Sequence, residues 1–189
     1  MVKKDLLRRY ELTSGSTLRR IIACYRAPGL HAVVIFRFGH WLMGRSLPLR
    51  ILLKPLYMLL NHRMMSKWGI QIDMETRIGE GFLIFHYGGI FVGSEAVIGD
   101  NVSISHNVTI GIAGEGKRRG TPVIGNNVYI APGANVSGRI TIGDNARIGA
   151  NAVISRDVPA NALVQTGPVR TVTFPSLYAR TDPGRLPGG

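Results

Sequence analysis

From residue 72 onward an aliphatic side chain returns at every sixth position. Ile72, Ile78 and Ile84 form one run, Val92, Ile98, Ile104 and Ile110 a second, and Ile124, Ile130, Val136, Ile142, Ile148 and Ile154 a third. Two positions earlier runs a second series of apolar or small residues, including Ile90, Ala96, Val102, Val108, Val128, Ala134, Ile140, Ala146 and Ala152. Glycine often follows the main aliphatic, and Asn and Asp crowd the remaining sites in "GDNV", "GNNV" and "GDNA". A period of six is neither that of an amphipathic helix nor that of a long strand. It predicts a short strand and a tight turn, repeated, with the aliphatics stacked inward and Gly, Asn and Asp in turn conformations that other residues resist. Three such units close a triangular coil of about eighteen residues, with successive coils ~4.8 Å apart. The fold class is therefore mainly β, a parallel β-helix.

The register breaks twice. Ile84 to Val92 spans eight residues, and Ile110 to Ile124 spans fourteen, through "GIAGEGKRRGTPV". The longer break predicts a loop, 111–122, pushed out of the coil. Insertions on a rigid repeat commonly carry function. The shorter break lies in "FLIFHYGGIF", whose one imidazole is His86. His106 follows twenty residues later, one coil plus the two-residue slip. The two rings are expected to stack on one face, about one strand spacing (~4.8 Å) apart.

Charge divides the chain. Residues 1–69 hold 13 Lys and Arg against Asp5 and Glu11, whereas residues 70–189 hold 10 basic and 9 acidic residues. Three parts are predicted: a basic α-helical region 1–69, the β-helix 70–170, and a tail 171–189 without chemistry. Helices are expected over 30–43 and 49–68, with Pro55 kinking or ending a turn of the second. Their Leu, Ile, Met and Trp are mixed with Arg and Lys, which admits two readings. One is a helical cap on the β-helix with solvated cations. The other adds contact with an anionic membrane through residues 1–69, Trp41 or Trp68 dipping into the interface. No stretch reaches the ~18 uncharged apolar residues of a transmembrane helix, and no apolar core of a signal peptide follows the N-terminal charges. The expected location is cytoplasmic, or peripheral at the inner membrane. Nucleic acid is not expected as a partner, because the basic half lacks a recognition helix or stacking motif. A single cysteine, Cys24, excludes an intrachain disulfide and a Cys-rich metal site; it reads as a packing residue. His31, His40 and His62 lack ligand spacing, so no metal is expected.

Over about residues 26–170 the chain resembles hexapeptide-repeat acyltransferases with a left-handed parallel β-helix, and the serine acetyltransferase-like branch in particular. The stretches that carry the likeness are "PGLHAVVIFRFGHWL", "IDMETRIGEGFLIFHYGGIFVGSEAVIGDNVSISHNVTIG" and "PVIGNNVYIAPGANVSGRITIGDNARIGANAVISRDVPANALVQTGPVR". The resemblance implies a homotrimer with sites in clefts between subunits, acetyl-CoA as donor and a catalytic histidine at His86. The chemistry suits an imidazole: a hydroxyl is a weak nucleophile, and a neutral ring can take its proton as it attacks the thioester. Turn N–H groups can meet the resulting oxyanion. For CoA the resemblance points to Ala131, Ala150, Ser155, Arg156 and Arg170, with a small side chain at 150 admitting the pantetheine arm and the arginines meeting phosphate. Lys117, Arg118 and Arg119 either clamp an anion or form a solvated loop tip.

The chain also departs from the serine enzymes. They carry Asp before the catalytic His, where this chain has Phe85. They carry Arg-His before the proline that ends the loop, where it has Gly120 and Thr121 before Pro122. They carry an acid near the start of the β-helix, where it has Gln71, with Asp73 two residues on. The branch includes acetyltransferases of exopolysaccharide and capsule assembly, which tolerate such losses. The expected function is therefore an acetyl-CoA-dependent O-acetyltransferase acting on a sugar hydroxyl in exopolysaccharide or capsular polysaccharide biosynthesis. Transfer is direct, with His86 as general base and His106 as a second site residue. The alternative is a serine O-acetyltransferase of cysteine biosynthesis with an altered acceptor pocket; a non-catalytic scaffold is a different class again. The serine enzymes carry a longer helical N-terminus that joins two trimers, so a trimer rather than a hexamer is expected.

Overall fold

The computed structural model describes residues 2–116 and 119–167. Four helices lead: α1 (Val2–Glu11), α2 (Thr17–Tyr25), α3 (Pro28–Met43) and α4 (Leu47–Trp68). α3 and α4 match the expected pair with slightly longer bounds, and each starts with a proline in its first turn, where no amide donor is missed. α2 starts at Ser16, whose side chain accepts from the Arg19 amide. α4 ends at Gly69 in the left-handed conformation. Pro55 does not end a turn of α4: the helix runs unbroken through it. The proline costs one hydrogen bond, that of the Ile51 carbonyl. Both residues lie on the solvent side, where water replaces it.

The remainder is a parallel β-helix of three sheets. The first holds β1 (Ile70–Ile72), β4 (Ile90–Val92), β7 (Thr109–Gly111), β10 (Asn135–Ser137) and β13 (Val153–Ile154). The second holds β2 (Arg77–Ile78), β5 (Val97–Ile98), β8 (Val123–Ile124) and β11 (Thr141–Ile142). The third holds β3 (Leu83–Ile84), β6 (Ser103–Ile104), β9 (Tyr129–Ile130), β12 (Arg147–Ile148) and β14 (Leu163–Val164). The chain visits the sheets in that order and returns, so every third strand pairs in parallel: Ile84 with Ile104, Ile104 with Ile130, and Ile130 with Ile148. The hexad aliphatics form one buried column cluster running from Ile70 to Val158. Each buried aliphatic contributes roughly 1.5–3 kcal/mol. Asn101, Asn127, Asn145 and Asn161 take positive φ at one corner, and the last three are linked side chain to side chain through 3.2 and 3.0 Å hydrogen bonds.

The helices are fastened to the β-helix by a buried ion pair. Asp5 and Arg37 are both buried, and the Arg37 Nε donates to Asp5 Oδ2 at 2.9 Å. Arg37 also donates to the carbonyls of Ile78 and Gly79, while the Phe82 amide donates to Asp5 Oδ1 at 2.9 Å. Arg8 donates to the carbonyls of Gly81 and Val102 and to Ser103 Oγ. Every charge is thus met by a counter-charge or a carbonyl, as burial requires. At the start of α3 the backbone touches β3: a Cβ added at Gly29 would lie 2.6 Å from the Ile84 carbonyl oxygen. That contact sets the position of the segment leading into His86.

Candidate active site

His86 sits in the five-residue turn between β3 and β4, the place where the hexad register slips by two. The slip is accommodated by Gly88 and Gly89, both at positive φ. At Gly89 a side chain is excluded twice over, since an added Cβ would also lie 2.1 Å from Asn107 Oδ1. The turn is tied to its neighbours. The Phe85 amide donates to the Ile104 carbonyl at 3.0 Å, and the Asn107 amide donates to the Gly88 carbonyl at 2.7 Å. Phe85 packs edge-on against Tyr129, and Tyr87 against Trp68 at the end of α4, at centroid distances of 6.3 and 4.9 Å. The aromatic flanks hold the turn while His86 itself stays exposed.

His106 occupies the same corner one coil on. The two imidazoles meet at 5.8 Å between centroids with ring planes 80° apart, edge to face rather than stacked as expected. The pairing of Ile84 with Ile104 keeps the two histidines in register, two residues past their strands. The column continues: the Gly133 amide donates to the His106 carbonyl, and the Asn151 amide to the Pro132 carbonyl. This places Ala131 and Ala150 in the same corner, beyond His106. Ala131 is buried and Ala150 exposed.

The other expected CoA residues lie elsewhere. Ser155 and Arg156 follow β13 at the opposite edge of the first sheet, and both line a cavity of about 390 Å³ with Asp157 and Pro159. Ser155 also borders a cavity of about 290 Å³ beside Ala113, Gly114 and Arg139, at the neck of the extruded loop. Within one chain, therefore, the histidine corner and the Ser155–Arg156 corner are separated by the width of the first sheet. Lys117, Arg118 and Arg170 lie outside the described residues. Gly120 closes the loop neck, exchanging 3.1 Å backbone hydrogen bonds with Ala113, while Thr121 Oγ1 donates to the Glu95 carbonyl.

Within one chain no hydrogen bond joins Gln71 or Asp73 to His86. Gln71 lies within β1, paired with Phe91. Asp73 is in the turn after β1, on the far edge of the same sheet. There its charge and, more strongly, burial raise the pKa of Tyr57. Two features escaped sequence reasoning. One is a cavity of about 340 Å³ lined by Met65, Gly69, Ile70, Gln71, Gly89, Ile90 and Phe91, reached from the His86 turn through Gly89. The other is Asn135 Oδ1, buried without a hydrogen-bond partner on the outward side of β10. The sequence carried no distinct signal for the second, because the outward positions of the first sheet also hold Gln71, Phe91, Thr109 and Val153.

The arrangement offers a base on an exposed corner and no group of three or more potential metal ligands among the described residues. The bacterial transferase hexapeptide (six repeats) family matches residues 121–156. A serine acetyltransferase of Synechococcus elongatus is 37% identical over 163 residues, 86% of this chain and 63% of that protein. One from Helicobacter pylori is 37% identical over 146 residues, 77% of this chain and 82% of that protein. A serine acetyltransferase of Brucella abortus solved with coenzyme A superposes with a TM-score of 0.72 at 31% identity, covering 89% of this chain and 65% of that one. The chain thus spans less than two thirds of the cyanobacterial relative and of the Brucella structure. These findings overturn the expectation of a sugar acceptor in exopolysaccharide or capsule assembly. The lost Asp and Arg-His positions had suggested it, but the two relatives above, aligned over 86% and 77% of the chain, are serine acetyltransferases. On the hexad fold and 37% identity to the Helicobacter enzyme across 82% of that protein's length, the chain belongs to the serine acetyltransferase family of hexapeptide-repeat transferases.

Proposed function

We propose that the protein transfers the acetyl group of acetyl-CoA to the hydroxyl of serine, the reaction that feeds cysteine biosynthesis. The observation that carries this reading is His86: an exposed imidazole on a turn fixed by backbone ties to the next coil. His86 takes the serine hydroxyl proton as the oxygen attacks the thioester carbonyl. The tetrahedral oxyanion is met by backbone N–H groups of the turn. As it collapses the carbon–sulfur bond breaks, and the imidazolium returns the proton to the departing CoA thiolate. No metal and no covalent enzyme intermediate enter the scheme.

His106 acts as a positioning residue, fixing the tilt of the His86 ring by edge-to-face contact. Ala131 and Ala150 continue the same corner as small surfaces along which an extended pantetheine arm can lie, and Ser155 and Arg156 meet the CoA phosphates. A homotrimer reconciles these placements. If the histidine corner of one chain faces the Ser155–Arg156 corner of a second, both halves of the site come together across the subunit boundary. The unpaired Asn135 oxygen lies on the sheet between the two corners, where such a boundary or a substrate would satisfy it.

The acceptor pocket differs from that of a serine enzyme with Asp before its histidine. Phe85 supplies no charge for the serine ammonium, so a high KM for serine is expected. The test is CoA release from acetyl-CoA with L-serine, together with identification of O-acetylserine, in the full chain and in His86→Asn. Turnover that requires serine and collapses in the variant supports the reading. Turnover unchanged in the variant refutes it.

A further inference from the structure

The buried face of α4 is narrow: Tyr57 and Met64 are buried, with Leu53, Leu60 and Trp68 half-buried beside them. On the opposite side, at helical spacing, stand Leu47, Ile51, Leu52, Pro55, Met58 and Leu59. Leu52 is 71% exposed, Leu47 and Ile51 66% each, and Leu59 65%. A soluble helix ordinarily turns polar residues outward. Here most outward polar residues flank the apolar stripe instead, and only His62 and Ser66, hydrogen-bonded to each other, interrupt it in its last two turns. Arg50 and Lys54, four apart, edge one side; Arg63 and Lys67, four apart, edge the other. The helix contains no Asp or Glu. Its 22 residues make a rod about 33 Å long.

We propose that this face of α4 docks on an anionic lipid surface, lying parallel to it. The apolar stripe enters the headgroup–acyl boundary, and the four flanking cations rest at the level of the phosphates, their stems covering apolar surface. Charge decides between lipid and a second copy of the chain. α4 against α4 would bring four cations against four with no acid on either helix, whereas anionic headgroups neutralise every one. Spanning is not part of the proposal, since no single helix among the described residues is long and apolar enough to cross a membrane. α2 repeats the composition on a shorter scale, with Leu18, Ile21, Ile22 and Tyr25 exposed beside Arg19, Arg20 and Arg26. The proposal is independent of the acetyl acceptor.

The test is co-sedimentation of the full chain with phosphatidylcholine vesicles, with and without phosphatidylglycerol, at low and raised salt. Expected are binding at least tenfold tighter to the anionic vesicles and its weakening by salt. The pair Lys54→Gln and Arg63→Gln should lose roughly fivefold per cation. Leu52→Ser with Leu59→Ser should lose on the order of 100-fold. All four side chains are exposed, so circular dichroism and the thermal midpoint should stay unchanged. Equal binding to neutral vesicles, no binding to anionic ones, or wild-type binding by both double variants overturns the proposal. So does self-association without vesicles that Leu52→Ser with Leu59→Ser abolishes while leaving vesicle binding intact, because the face would then belong to a protein interface.

Discussion

A base at the surface of a rigid coil works only if the turn that carries it is held still. At His86 the holding is done by Gly88 and Gly89, whose left-handed backbone lets the turn lie close to Asn107, and by the Phe85 and Tyr87 flanks. His86→Asn is expected to lower kcat by about 10²–10⁴, the worth of a general base, with KM for acetyl-CoA little changed in steady-state assays. His106→Asn should lower kcat by about tenfold with KM for acetyl-CoA little changed, and His106→Phe, which restores a ring edge-to-face with His86, should recover most of that loss. Phe85→Asp should lower KM for serine more than it changes kcat, if a charge beside the base is what the pocket lacks. The turn that carries His86 was legible in the sequence because the hexad register slips there. The acceptor was not. Phe85, Gly120 and Thr121 were read as evidence against serine, yet a substitution in a pocket changes how tightly an acceptor is held before it changes which acceptor is used.

At the scale of elements the six-residue period carried the β-helix almost strand by strand, because each inward aliphatic reports one wall of the coil. Helices α3 and α4 were legible from their composition and proline starts. The fastening of α1 was not. Asp5 is one of only two acids before residue 70, but nothing local says that it is buried or that its partner is Arg37, thirty-two residues on. Only the fold brings them to the Ile78–Phe82 segment. Asp5→Ala leaves the Arg37 charge buried and uncompensated, and should cost about 3–5 kcal/mol in denaturant unfolding. Gly29→Ala forces α3 away from Ile84. A loss of about 1–3 kcal/mol is expected, together with reduced kcat, since the displaced segment leads directly into the His86 turn.

For the whole molecule, pH acts where helices meet the β-helix. Burial and the Asp73 charge raise the Tyr57 pKa above its ordinary value near 10. The folded state therefore binds the phenolic proton more tightly than the unfolded chain does. The stability this gives is fully present below the unfolded pKa and is lost as pH rises through the folded one. Tyr57→Phe should flatten the alkaline end of the stability curve relative to wild type. At the acidic end Glu80, hydrogen-bonded and ion-paired with Lys4, is held down at about 2. Its contribution is present above the ordinary carboxylate pKa and lost as pH falls from there through about 2; the solvent-exposed Lys4 partner keeps it small. Assembly belongs to this scale too. The two corners that share the proposed CoA residues lie on opposite edges of one sheet, so a chain held as a monomer should be nearly inactive. Light scattering alongside activity at increasing dilution checks this, with activity expected to fall as the proposed trimer dissociates.

Whether His86 deprotonates serine for acetyl transfer is read from the product formed by the purified full chain from acetyl-CoA and L-serine. Stoichiometric CoA and O-acetylserine are expected, with both lost in His86→Asn at unchanged thermal stability. CoA release without O-acetylserine, or O-acetylserine formed at the wild-type rate by His86→Asn, would contradict it.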